Sequence, residues 1–95
     1  MLKNFSKETL ENTKKVLSNL ICNQPNIFPT AESGVQMEFY LGVKYLQIVI
    51  IDNAVEYFQT DGENLDKDIY DEFEYNVDKI INIITAFFTA EESHN

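Results

Sequence analysis

The stretch Gly34–Phe58 limits the fold more than any other part of the chain. Val35, Met37 and Phe39 alternate with Gln36, Glu38 and Tyr40, the period of a strand with one face buried. Gly42 and Val43 follow as a two-residue turn, with glycine where a type II′ hairpin requires positive φ. The return strand then sets Leu46, Ile48 and Ile50 opposite Phe39, Met37 and Val35. A second turn at Asp52 and Asn53 sets Val55 against Ile50 and Tyr57 against Ile48, with Asn53 tolerating the left-handed backbone such a turn needs. A one-residue slip at either turn would move a whole apolar set to the wrong face. The pattern predicts an antiparallel meander with strands 35–41, 44–51 and 54–59.

The flanks read as helices. Ser6 is a candidate N-cap for a helix over 6–22, with Glu8 in the first turn and Phe5 placed to meet Leu10 as a hydrophobic staple. Leu10, Val16, Leu17, Leu20 and Ile21 fall on one side of it. Pro25 and Pro29 predict an extended segment over 24–33, anchored by Ile27 and Phe28. After a turn at Asp61-Gly62, the spacing of Ile69, Phe73, Val77, Ile80, Ile84 and Phe87 fits one stripe of a long helix over 66–90. Asp68, Asp71, Glu72, Glu74 and Asp78 would cover its opposite side, and Glu91–Asn95 would fray. The expected architecture is one α+β domain over 1–95: helix, three-stranded antiparallel meander, helix, in a two-layer sandwich.

Charge limits the partners. Seven lysines and no arginine face sixteen acids, for a net charge of −9. Residues 1–60 hold five lysines and six acids (−1), and residues 61–95 hold two lysines and ten acids (−8). Such a chain repels nucleic acid and anionic membrane, so the expected partner is a protein with a basic surface. The lone Cys22, between apolar neighbours, reads as a small buried hydrophobe and excludes an internal disulfide. No apolar run approaches the roughly 20 residues of a membrane span, and the N-terminus lacks a signal-peptide core, so a cytoplasmic protein is expected.

The run Pro25-Asn26-Ile27-Phe28-Pro29-Thr30, followed by Gly34-Val35-Gln36-Met37-Glu38-Phe39, resembles a pattern in small bacterial proteins of unknown function. In those, Pro-x-Ile-x-Pro-Thr precedes Gly, then Val or Ile, Gln, an apolar residue, Glu and usually Trp. A hairpin similar to Ile48–Tyr57 follows. The likeness covers residues 25–58, about a third of the chain. Phe39 replaces the usual Trp, and Asp52-Asn53 replaces an Asp-Gly turn. The resemblance implies a small binding partner of a neighbouring gene product, with no activity to carry over.

Among candidate sites, the outer sheet face ranks first. The predicted register groups Gln36, Val49 and Glu56 in one row and Glu38, Gln47 and Phe58 in the next, with Tyr40 and Tyr45 as a cross-strand pair beyond. Polar groups among aromatics match the composition of protein-binding patches, although cross-strand pairs also stiffen a plain solvent face. The acids Asp68, Asp71, Glu72 and Asp78 form the second candidate, as a helical stripe facing a basic surface, or as a solvated helix face.

No metal site is expected: Asp61–Asp66 is acid-rich, but its glycine is misplaced for an EF-hand loop and it lacks His or Cys. No catalytic residue or cofactor is expected either. His94 stands in the terminal tail, and Glu38 and Glu56 share a flat face without desolvation or an oxyanion donor. The leading expectation is therefore a small acidic interaction module of antitoxin, immunity or inhibitor type, not an enzyme, that binds one protein partner. Two alternatives stay open. One is a nucleic-acid mimic whose helical acids, about 5.4 Å apart per turn, occupy a basic groove. The other is a self-assembling protein, with a homodimer formed through a strand edge.

Overall fold

The computed structural model describes residues 5–20 and 24–89. The elements run α1 (Lys7–Ser18), β1 (Asn26–Pro29), β2 (Val35–Leu41), β3 (Lys44–Ile51), β4 (Ala54–Thr60), a 3-10 turn (Leu65–Lys67), β5 (Ile69–Glu74) and α2 (Val77–Thr89). The class is α+β: two helices and one five-stranded antiparallel sheet in the order β1-β2-β3-β4-β5. The expected three-stranded meander is thus the centre of a longer one.

The central pairings follow the apolar alternation. Met37 lies opposite Ile48, Phe39 opposite Leu46 and Val35 opposite Ile50; Ile50 lies opposite Val55 and Ile48 opposite Tyr57. These inward residues pack with Val16 of α1 and Ile80, Ile84 and Phe87 of α2 in one buried cluster. Gly42 takes φ 62 in the first turn. In the second turn the left-handed residue is Asp52, at φ 52, not Asn53.

Helix α1 explains why Asp52 is held there. Ser6 caps the helix by accepting the Thr9 N–H at 3.0 Å. The Ser6 hydroxyl donates to the Asp52 carboxylate, the Asp52 N–H donates to Thr9 Oγ1 at 2.7 Å, and Asn12 Nδ2 donates to the Asp52 carbonyl at 2.9 Å. One end of α1 is therefore clipped to the β3–β4 turn. The clip rotates the helix so that Thr9, Thr13 and Val16 are its buried residues, while Leu10 is 39% exposed. The expected staple gives way to this arrangement: Phe5 packs against the core, but Leu10 faces outward. The helix also stops before 22, at Ser18, where Asn19 Nδ2 and Ser18 Oγ both donate to the Lys15 carbonyl. The expectations for Ile21, Cys22 and the tail 90–95 lie outside the described residues.

The long helix over 66–90 is the main correction. Residues 69–74 form β5, paired with β4 from Ala54↔Glu74 to Gln59↔Ile69. Two physical terms favour the strand. A helix would stack Asp68 with Asp71 and Glu72, and Glu74 with Asp78, as like charges three and four residues apart. It would also leave the backbone of β4 unpaired along its second edge. Helix α2 begins only after Asn76, whose Oδ1 caps it by accepting the Lys79 N–H at 3.0 Å. The extended segment 24–33 is likewise partly a strand, β1, paired with β2 from Asn26↔Glu38 to Pro29↔Val35.

Both sheet edges are blunted. Thr30 N–H donates to the Gly34 carbonyl at 2.9 Å, so in this ladder positions 26 and 28 bond to β2 while 25, 27 and 29 point their backbone outward. Two of those three are proline and offer no donor. At the other edge, Tyr75 N–H donates to the Asn53 carbonyl at 2.7 Å, which leaves 70, 72 and 74 facing out. The Glu72 N–H there is taken by the Asp71 carboxylate at 2.9 Å. The edge pairing expected for self-assembly meets this opposition at each side.

Candidate functional site: the open face of the sheet

The strands alternate, so the residues that do not enter the core share the opposite face. The four printed registers arrange them in rows: Phe28, Gln36, Val49, Glu56 and Glu72; then Asn26, Glu38, Gln47, Phe58 and Tyr70; then Tyr40, Tyr45 and Thr60. Neither helix contributes to this side, since their buried residues belong to the cluster on the other face. Val49, at the centre, is nonetheless 7% exposed because its neighbours cover it, whereas Phe28, Tyr40 and Tyr70 are 44%, 55% and 59% exposed. No lysine occupies any of these positions.

Two kinds of carboxylate sit on the face. Glu38 is saturated: Gln36 Nε2 donates to it at 2.6 Å, Tyr40 at 2.9 Å and Tyr45 at 2.9 Å. Partial burial alone would raise its pKa, but the bonds from Tyr45, Tyr40 and Gln36 outweigh that and hold it below the ordinary carboxylate value. The two tyrosine rings stack at 5.2 Å between centroids and 51°. The Tyr45 hydroxyl is pushed up by burial and by its bond to Glu38. Glu38 and its ring of donors form a stiff, pre-arranged patch.

Glu56 and Glu72 are the second kind. They stand directly opposite each other across β4 and β5, a like-charge pairing that destabilises a sheet. Tyr70, opposite Phe58, donates to Glu72 at 2.5 Å, and this bond is the main reason its hydroxyl is pushed up to about 12. Glu74 follows on the same face and accepts from Asn53 Nδ2 at 2.8 Å. An open cleft of ≈ 390 Å³ has Asn53, Glu56, Glu72, Phe73 and Glu74 among its walls.

Of the residues singled out in the sequence, Gln36, Glu38, Tyr40, Tyr45, Gln47, Glu56 and Phe58 lie together on this face. Glu72 joins them, from a strand and not from a helix. Asp71 points to the opposite side, Asp68 lies between the 3-10 turn and β5, and Asp78 is in the first turn of α2. The acidic helical stripe therefore does not exist, and the phosphate-like spacing drawn from it goes with it. Phe28 and Tyr70 were missed. Their signals were a residue between two prolines at strand positions, and the alternation Ile69/Asp71/Phe73 against Tyr70/Glu72/Glu74 before a capping Asn76.

Among the described residues no group of three or more His, Cys, Asp or Glu side chains is placed to hold a metal ion. Asp61 and Asn64 instead accept from the backbone two residues on, as local turn formers. No described helix is long and apolar enough to cross a membrane. His94 lies outside the described residues. No known family model, curated protein or solved structure matches the chain significantly.

Proposed function

We propose that this protein is an interaction module of antitoxin, immunity or inhibitor type that binds a single protein partner through the open face of its sheet. The supporting observation is the composition of that face: exposed Phe28, Tyr40 and Tyr70 stand among carboxylates and amides, with no helix over them. Aromatic side chains bring large contact area at low entropic cost, and their enrichment marks protein-binding surfaces. Binding suits the face better than catalysis. Its best-held carboxylate, Glu38, is already occupied by three donors and is not free to move a proton.

The test is affinity purification of the tagged chain from its native host at low and high salt, with mass spectrometry. One stoichiometric partner, lost when Tyr40 and Tyr70 are both changed to alanine, supports the proposal. An empty eluate at both salts, from protein that is folded, overturns it.

A further inference from the structure

The interaction role proposed above leaves open what the partner presents, and the arrangement of β4 and β5 narrows it. We propose that the open face docks a basic protein surface by an arginine side chain, received between Glu56 and Glu72 and stacked on Phe58 and Tyr70.

Charge complementarity supports this occupant. Glu56 and Glu72 oppose one another in register, and no row of the face supplies a lysine to relieve them. A cation brought by a partner replaces a repulsion that the free protein carries. Glu38 cannot serve the same purpose, because Gln36, Tyr40 and Tyr45 already fill its lone pairs. Within the second kind of site, the next row is the aromatic pair Phe58 and Tyr70, one strand step of about 7 Å from the acids on the same face. A guanidinium is planar: it stacks on rings while its edge bonds carboxylates, and it sheds water more readily than an ammonium.

The other occupants fit less well. A second copy would present the same acidic face and be repelled, as would nucleic acid or an anionic lipid surface. A strand added to the sheet meets prolines 25 and 29 at one edge and the Asp71-capped backbone at the other. Face-on docking of a basic protein remains.

The experiment is a titration of the ¹⁵N-labelled full chain, followed by NMR, with a twelve-residue extended peptide carrying arginines, and with its lysine and citrulline counterparts. The arginine peptide is expected to shift the amides of residues 56, 58, 70 and 72, to weaken with salt, and to bind more tightly than the lysine peptide; the citrulline peptide should not bind. Glu56→Gln and Glu72→Gln should each weaken the arginine peptide about tenfold, the loss of one charge-assisted bond. Glu11→Gln, on exposed α1, should leave it unchanged. The dispersed amide spectrum reports that each variant is folded.

Equal affinity for arginine and lysine peptides, indifference to both glutamine variants, shifts centred on residues 61–68, or no binding of any peptide would each overturn the site. A native partner that binds the Glu56→Gln/Glu72→Gln double variant as tightly as wild type would overturn the site and leave the interaction role standing. Failure to capture any partner strikes the role itself, so the two can fail separately.

Discussion

Thr9 and Thr13 lie one turn apart on α1, both buried, at 1% and 6% exposure, and the same substitution at each should act in opposite directions. Thr9 Oγ1 accepts the Asp52 N–H at 2.7 Å and donates to the Asp52 carboxylate at 3.3 Å. Thr9→Val keeps the shape but leaves that N–H without its acceptor at a residue holding φ 52. An unsatisfied donor costs about 1–3 kcal/mol, and the added methyl returns at most about 0.8 kcal/mol. Since Asp52 itself is exposed, water can reach part of the turn, and a net loss of about 1.5 kcal/mol is expected. In a domain of this size that lowers the melting temperature by roughly 6–12 °C. Thr13 Oγ1, by contrast, is buried and has no hydrogen-bond partner among the described residues. Thr13→Val removes an unsatisfied hydroxyl and should raise stability by about 1 kcal/mol. Urea unfolding of the two variants and wild type, with m unchanged, measures both. Equal effects at the two positions, or a Thr9→Val loss below about 0.5 kcal/mol, would refute the account of the clip between α1 and the β3–β4 turn.

Three further outcomes follow from the same geometry. Glu38 has a lowered pKa, so its contribution is full above the unfolded carboxylate value of 4.5 and is lost as pH falls through the folded value; the pH dependence of urea midpoints below 4.5 should flatten in Glu38→Gln. Tyr70, raised to about 12 chiefly by its bond to Glu72, contributes below pH 10 and loses that contribution as pH rises through 12. Ultraviolet titration should find a late-ionising tyrosine that moves down towards 10 in Glu72→Gln. Gly62→Ala should destabilise more than Gly42→Ala in thermal unfolding. Both glycines have positive φ, but a Cβ at Gly62 would stand 2.2 Å from the Val43 carbonyl oxygen while one at Gly42 meets nothing within 4 Å. The Gly42 change should cost only the left-handed strain, about 1–2 kcal/mol.

The centre of the candidate site was readable because strand periodicity and turn chemistry are local. Once Gly42-Val43 and Asp52-Asn53 are turns, Glu38, Gln47 and Phe58 must share a face with Tyr40 and Tyr45. The second half of the face was not readable in the same way. Ile69 and Phe73 are spaced four apart, which suits a helix stripe and also two inward positions of a strand. Only the unpaired edge of β4 distinguishes them, and an edge is a property of the assembled sheet. The same holds for Leu10 and Thr9: helical periodicity favoured burying the leucine, but the hydroxyl of Thr9 is needed at Asp52, forty-three residues away.

By itself, then, the sequence determined the register of β2, β3 and β4, the class of the fold and the acidic character of any surface it presents, because alternation, two-residue turns and charge depend on neighbours in the chain. Tertiary structure decided that residues 69–74 are a strand, that Glu72 faces Glu56 and Tyr70 faces Phe58, and that α1 is clipped to the Asp52 turn. Those choices depend on which backbone groups and hydroxyls would otherwise be left without partners, and that is settled only when distant segments meet.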